Sequence, residues 1–140
     1  MTTDGVGTVR SAVAALNVGN IDGYLAYVDP ACERWLVGID KPLSFADVRA
    51  GLTQLWDAFD DVHLDEVLLF GESAFVCARW RMSGTHRGEF IGLAATGRAI
   101  DVEQCEVYEL GPDGLVSKSW VYGDHGLLYR QISSPEGAPE

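Results

Sequence analysis

The 140-residue sequence is poor in basic residues and in long apolar runs, and each shortage argues against a class of protein. It has 10 lysines and arginines against 21 aspartates and glutamates, which gives a formal net charge of −11. Nucleic acids and anionic membranes are bound through clustered positive charge, so both are disfavoured as partners. No window approaches the roughly 18 consecutive apolar residues that a membrane-spanning helix needs. We therefore expect no nucleic-acid partner and no membrane partner.

Cysteine and histidine are also scarce. The three cysteines are far apart and form no Cys-x-x-Cys pair, which argues against a zinc knuckle or a disulfide framework. His63, His86 and His125 lack metal-ligand spacing, so we expect a surface position for each and no metal. The N-terminus has neither the cationic start nor the apolar stretch of a signal peptide. These features are typical of a cytoplasmic protein in a reducing compartment.

The apolar residues present are enough for one globular domain, at 47% of the sequence. Over the first 60 residues they recur at intervals of three and four, which predicts helices. One helix runs from Val6 to Leu16, and a second, shorter one ends at Pro30. A third follows Ser44, whose hydroxyl can accept a first-turn N–H.

From Asp61 onward the apolar period changes from 3.6 to 2, which predicts strands. The four predicted strands are Val62–Phe70, Ala74–Met82, Arg98–Leu110 and Leu115–Gly123. Helices followed by an antiparallel meander are typical of an α+β fold. We expect a cone-shaped barrel, in which three N-terminal helices close a curved, mainly antiparallel sheet. The domain covers residues 1–132, a disordered tail covers 133–140, and the open end of the cone is a natural small-molecule pocket.

The last strand carries the first candidate for chemistry. Alternation puts Trp120, Tyr122 and Asp124 on one face, which the two aromatic rings indicate to be the buried one. Desolvation beside those rings would raise the pKa of Asp124 toward the range that a general acid or base needs. The alternative is that Asp124 caps the turn that follows, and spacing alone favours the cap.

The strand before it carries polar residues on its inner face. Gln104, Glu106 and Tyr108 share the parity of that face with apolar neighbours at both ends. A buried polar group needs a partner, a water or a ligand. Gln104 and Glu106 therefore either line the pocket or form an internal contact, such as an ion pair of Glu106 with Arg79 or Arg81.

Large side chains are candidates for the pocket lining. Trp80 and Met82 face inward on the second predicted strand, where they belong to the core and also to the pocket if they lie at its mouth. Trp35 and Trp120 add two more indole rings, which either line the pocket or fill it. Tyr108 and Tyr122 are expected to contribute phenol rings to the same lining.

Two segments resemble a known family. The loop Gly84–Arg98 reads GTHRGEFIGLAATGR, and the closing segment Trp120–Asp124 runs without a gap to Ile132. Both are similar to the corresponding parts of SnoaL-like polyketide cyclases, and the order of helices and strands agrees over roughly residues 6–132. The resemblance implies the nuclear-transport-factor-2-like (NTF2-like) cone and a homodimer formed through the sheet.

The resemblance also implies a reaction. SnoaL-like cyclases close a ring of a small hydrophobic polyketide by intramolecular aldol condensation, without metal or cofactor. Asp124 matches the family's acid/base aspartate. Gln104 and Glu106 lie on the strand where relatives often have a histidine, so they are expected as helpers, and Trp35 lies near a family position for histidine or asparagine.

Two other functions stay open. An epoxide hydrolase, or an epoxide-opening or pyran-forming cyclase, needs two carboxyl groups flanking the reacting centre, which Asp124 and Glu106 could supply. A non-catalytic ligand-binding module needs no carboxyl group with a raised pKa. The fold alone does not decide between them.

Overall fold

Three helices begin the fold, each started by a polar side chain. The computed structural model describes residues 4–59 and 61–133. Asp4, Asn20 and Ser44 each accept a backbone N–H from the first turn of the following helix. The predicted cap at Ser44 is confirmed, and Asp47 completes a capping box by accepting the Ser44 N–H at 2.9 Å. The helices are α1 (Gly5–Asn17), α2 (Ile21–Leu25) and α3 (Phe45–Ala58).

A five-stranded sheet forms the other layer and confirms the predicted α+β class. Its strands are β1 (Val28–Leu36), β2 (His63–Glu72), β3 (Phe75–Thr85), β4 (Ala99–Leu110) and β5 (Val116–Gly123). The strands lie in the order β1-β5-β4-β3-β2, with β1 parallel to β5 and every other neighbouring pair antiparallel. A short helix, α4 (His125–Ser133), follows β5 and packs on β4. No helix in the described part of the chain is long and apolar enough to cross a membrane.

The strand β1 was not predicted, because Pro30 was taken to end a helix. In the structure α2 ends at Leu25, and Pro30 lies within the edge strand. The pairing of β1 with β5 is irregular between Val28 and Glu33. Proline lacks the N–H that a strand ladder uses, so an irregular stretch of an edge strand is where it fits.

The inner face of β3 confirms the predicted alternation. Val76, Ala78, Trp80 and Met82 are all buried against the helices. The outer face carries Arg79 and Arg81, so the ion pair of Glu106 with either arginine, one of the expectations above, is wrong. Arg79 Nε donates to Glu103 at 2.8 Å and Arg81 Nε donates to Asp101 at 2.7 Å, so both arginines are paired with acids of β4.

The predicted inner face of β5 is wrong. The buried side chains are Ser119 and Val121, whereas Trp120 is half-buried and Tyr122 is 53% exposed on the other face. The prediction rested on the two aromatic rings, which lie on the outer face in the structure. A bulge precedes them, because Lys118 pairs with Glu109 while Val116 pairs with Leu110, which leaves Ser117 without a partner residue. A bulge changes the face on which the following residues lie, so the burial of Val116 does not indicate on which face Trp120 lies.

Two further expectations change. His86 was expected at the surface, but it is fully buried between β3 and the start of β4. Its ring packs on Phe59 with centroids 5.4 Å apart, and its Nδ1 lies 2.9 Å from Thr96 Oγ1.

The predicted tail began at Ser133, which is the last residue of α4. The rest of the predicted tail, 134–140, lies outside the described residues.

Candidate active site

A cavity of about 290 Å³ lies between α3 and the inner face of the sheet. Its volume is near the lower end of the roughly 300–1,000 Å³ typical of small-molecule sites. The helix contributes Val48, Leu52 and Leu55, which follow the predicted spacing of three and four. Most of the lining surface is apolar, so the cavity suits a hydrophobic ligand.

The sheet contributes five of the side chains that the sequence predicted for the pocket. Gln104, Glu106 and Tyr108 line the cavity from β4, and Trp80 and Met82 line it from β3. The two strands pair so that Trp80 lies opposite Gln104 and Ala78 lies opposite Glu106. The small Ala78 leaves room beside the Glu106 carboxylate.

The remaining predicted lining residues are elsewhere. Trp35, Trp120 and Tyr122 are absent from the cavity lining. Trp35 pairs with Trp120 across the parallel β1–β5 ladder, and both lie on the outer face of the sheet. Alternation along a strand leaves two possible faces, and large apolar side chains indicate the wrong one here because the outer face of this sheet is also rich in them. The cavity is therefore free of these two indole rings.

Asp124 is also outside the cavity lining, and the expectation of a half-buried carboxyl group with a raised pKa is wrong. Its side chain is 63% exposed. The backbone N–H of Leu127 donates to Asp124 Oδ1 at 3.0 Å, and Arg130 Nη2 lies 3.3 Å from Oδ2. The Leu127 N–H and then the Arg130 guanidinium hold the pKa of Asp124 below its usual value. The structure thus gives Asp124 the capping role that spacing alone favoured.

Glu106 has a partner that the sequence reading missed. Arg34, on β1, donates through Nη1 to Glu106 Oε2, and the same nitrogen lies 3.5 Å from Ser119 Oγ. The side chains are 19% and 4% exposed, so this ion pair is largely withdrawn from water. Recognition of β1 as a strand would have found it, since Arg34 alternates with the buried Cys32 and with Leu36, which lines the cavity.

Two tyrosines complete the polar part of the cavity wall. Burial and then the Glu106 charge raise the pKa of Tyr24 to about 12, and the same causes raise the pKa of Tyr108 well above its usual value. Burial opposes the charge on Arg34, but Glu106, Tyr24 and Tyr108 together outweigh burial and raise the pKa of that guanidinium. We call Tyr24, Arg34, Glu106 and Tyr108 the buried polar cluster.

The cluster can transfer protons and bind an oxygen atom of a ligand. It presents one carboxylate, one guanidinium and two phenols that keep their protons at neutral pH. Within residues 4–59 and 61–133, no three His, Cys, Asp or Glu side chains lie close enough together to hold a metal ion. The chemistry that these residues offer is acid–base chemistry.

Comparison with known proteins decides the family. The profile of the SnoaL-like polyketide cyclase family matches residues 7–132. The chain belongs to the SnoaL-like polyketide cyclase family. It is 30% identical over 138 residues to the aklanonic acid methyl ester cyclase DnrD of Streptomyces peucetius, with 94% of this chain and 92% of the relative covered. The enzyme of the same name from Streptomyces galilaeus, AcmA, is 28% identical over 134 residues, with 93% and 91% covered.

Solved structures of other proteins have the same fold. AclR from Streptomyces galilaeus, described as a hydroxylase, superimposes with a TM-score of 0.87 at 23% identity, covering 98% of this chain and 85% of its own. A SnoaL-like polyketide cyclase from Agrobacterium tumefaciens gives 0.75 at 19% identity, covering 95% and 100%. These confirm the predicted NTF2-like cone. The family assignment and the cyclase relatives confirm the predicted polyketide cyclase, and they support a role in antibiotic biosynthesis.

Proposed function

We propose that this cyclase closes a ring of its polyketide by a cofactor-independent intramolecular aldol reaction, with Glu106 as the acid/base group. The observation that carries the proposal is the position of Glu106, a carboxylate with 4% side-chain exposure in the wall of a mostly apolar cavity. An uncompensated charge there would be costly, and the ion pair with Arg34 compensates it.

One carboxyl group suffices for the proton transfers. Glu106 removes a proton from a carbon between two carbonyl groups, where delocalisation makes that proton unusually acidic. The resulting carbanion attacks a ketone carbon of the same molecule, and the ketone oxygen becomes an alkoxide. The protonated Glu106 returns its proton to that oxygen, so the carboxylate is regenerated. The product is an isomer of the substrate, and the cavity contributes by holding the chain in a folded, reactive arrangement.

Two neighbours support Glu106. Arg34 holds the carboxylate through Nη1 and acts as a positioning residue. Gln104 lies two residues earlier on the same face of β4 and lines the cavity, where its amide can hydrogen-bond a second carbonyl oxygen of the substrate. Trp80 and Met82 provide apolar contact area from β3.

The charges of the cavity favour a neutral substrate. Among the described lining residues, Arg34 is the one basic side chain, and Glu106 already neutralises it. Asp47 adds a further carboxylate to the lining. A substrate carboxylate would meet this excess of negative charge, whereas an ester would not. We therefore propose an esterified polyketide, and aklanonic acid methyl ester, the compound in the relatives' names, is the first compound to test.

The test is turnover of purified protein with that ester. Ring closure changes the retention time and absorption spectrum but not the mass, so liquid chromatography with mass detection separates aldol closure from hydrolysis or oxidation. We expect turnover of the methyl ester and at least about tenfold lower kcat/KM for the free acid. Equal rates for acid and ester would refute the charge argument, and an absence of isomeric product would refute the aldol proposal.

Epoxide opening is the weaker candidate. It needs two carboxyl groups that flank the reacting centre, and Asp124 is outside the cavity lining. Asp47 does line the cavity, but its Oδ2 accepts the Ser44 N–H at 2.9 Å as part of the α3 cap. Neither carboxylate is arranged with Glu106 as an acid–base pair.

We also propose a cytoplasmic homodimer formed through the outer face of the sheet. Leu68, Phe70, Phe75 and Tyr122 lie on this face with 46–53% exposure, and Trp120 lies there half-buried. Such a large apolar surface on a charged protein is typical of an interface. Sedimentation velocity tests this proposal: the wild type should sediment as a dimer, and Phe70→Lys should shift it to a monomer with unchanged circular dichroism. A monomeric wild type would refute it.

A further inference from the structure

One hydrogen bond in the cavity wall has no role in the reaction as described above. The indole Nε1–H of Trp80 donates to Tyr108 Oη at 3.0 Å, and both side chains are buried, at 2% and 3% exposure. Both also line the cavity. Trp80 on β3 lies opposite Gln104 on β4, and Tyr108 is four residues further along β4. The hydrogen bond therefore depends on the length of the indole side chain.

The chemistry of the two groups fixes the direction of this bond. An indole N–H can only donate, so Tyr108 Oη must accept from it. The phenol therefore has its own proton left to give. Within the described ranges 4–59 and 61–133, no acceptor lies within hydrogen-bond distance of that proton, although Tyr108 is 3% exposed. A buried donor without an acceptor is costly, and a ligand oxygen in the cavity would remove that cost.

We propose that Tyr108 donates this hydrogen bond to the ketone oxygen that becomes negatively charged during ring closure, and that Trp80 is the positioning residue that aims the hydroxyl group. The inference rests on the proposed aldol function and adds an oxyanion-stabilising group to it. As the carbon–carbon bond forms, the electron pair of the ketone moves to its oxygen. The hydrogen bond from Tyr108 strengthens at that stage, and Glu106 then supplies the proton that makes the alcohol.

The surrounding charges suit a donor at this position. Burial, then the Glu106 carboxylate, raises the pKa of Tyr108, so the phenol keeps its proton and does not act as a base. The Arg34 guanidinium acts on the same hydroxyl in the opposite direction and favours negative charge nearby. The bond accepted from Trp80 polarises the O–H further, because hydrogen bonds in a chain strengthen one another.

The first experiment compares matched phenol deletions. Tyr108→Phe should lower kcat by about 10²–10³-fold with KM changed by less than about threefold, as expected when one oxyanion donor is removed. Trp80→Phe should lower kcat by about tenfold, since the phenol remains but is no longer aimed. Tyr129→Phe, at a site 44% exposed on α4, is the control and should match the wild type. An unchanged kcat in Tyr108→Phe would overturn the proposal.

A second measurement does not depend on deleting the phenol. Replacing the tyrosines by 3-fluorotyrosine makes each phenol a stronger donor, so kcat of the wild type should change while kcat of Tyr108→Phe should not. An equal response in both proteins would overturn the proposal. A wild type that does not cyclise the ester refutes the proposed function instead. In that case 4-nitroacetophenone, a neutral ketone, still tests the donor: Tyr108→Phe should bind it at least about threefold more weakly, and equal binding would overturn the proposal.

Discussion

Substituting Glu106 and Asp124 one at a time tests which carboxyl group is the acid/base catalyst. Glu106 is the residue that we propose, and Asp124 is the residue that the family resemblance implies. In Glu106→Gln the side chain keeps its shape and an oxygen for Arg34, but it can neither remove nor return a proton. We expect kcat to fall by about 10²–10⁴-fold, the usual contribution of a general acid–base group. In Asp124→Asn we expect kcat within about threefold of the wild type, because Asp124 is 63% exposed and outside the cavity lining.

The stability of the two variants should differ in the same sense as their activity. Glu106→Gln leaves the buried Arg34 charge with a neutral acceptor, and we expect a loss of about 1–3 kcal/mol. Asn is as good a helix cap as Asp, so Asp124→Asn should retain the hydrogen bond from the Leu127 N–H and lose only an exposed ion pair with Arg130. Its melting temperature should stay close to that of the wild type, whereas Asp124→Ala should melt earlier.

The assay is initial-rate kinetics on the methyl ester together with thermal melts of the same preparations. Glu106→Asp serves as the control for position, because it keeps the charge and withdraws the carboxylate by one methylene. The reasoning would be refuted if Glu106→Gln kept its rate. It would equally be refuted if Asp124→Asn folded normally but lost about a hundredfold in kcat, since the acid/base role would then belong to Asp124, as the family resemblance implies.

Three other perturbations test the fold around the site. Tyr24 should titrate at about pH 12, well after an unfolded phenol at about 10, so stability should be complete below about pH 10 and decline as the pH rises through 12; absorbance at alkaline pH and melts of Tyr24→Phe measure this. Asn17→Ala removes both side-chain hydrogen bonds to the Leu64 backbone, at 2.9 and 3.0 Å, and should cost about 1–3 kcal/mol in urea unfolding; no loss would contradict the structure. Gly51→Ala, inside α3 with nothing within 4 Å of the added methyl group, should stabilise by about 0.5–1 kcal/mol, and a loss would mean that the helix is packed differently.

Local periodicity was enough for most of the fold. The stripe of Val48, Leu52 and Leu55 identified α3 and its buried face, because a helix repeats every 3.6 residues whatever it packs against. The alternation of β3 and β4 was equally regular, and it placed Trp80 and Glu106 in the cavity wall correctly. Each of these elements is unbroken over the residues that matter, so counting along the chain gives the direction of every side chain.

The prediction of side-chain direction failed on β5, where the register with β4 shifts. Between Val116 and Lys118 the strand β5 has one residue more than its partner, so Trp120 and Tyr122 lie on the opposite face from the buried Val116. The two aromatic rings indicated a buried face, whereas they lie on the outer face of the sheet. No feature of the sequence marks that extra residue, because Ser117 is compatible with either arrangement. The same shift takes the chain into α4 with Asp124 at its N-terminus, where the carboxylate accepts a backbone N–H.

The pairing of Arg34 with Glu106 could not be found from local pattern alone, and this limits what a motif can say about the chemistry. The two residues are 72 positions apart, and they meet only because β1 runs parallel to β5 at the edge of the sheet. When no partner is known, a carboxyl group on a buried face is expected to be neutral, because burial disfavours its charged form. A guanidinium beside a buried carboxylate compensates its charge. The ion pair of the proposed catalytic group is thus a property of strand pairing, which explains why the residue was predictable and its partner was not.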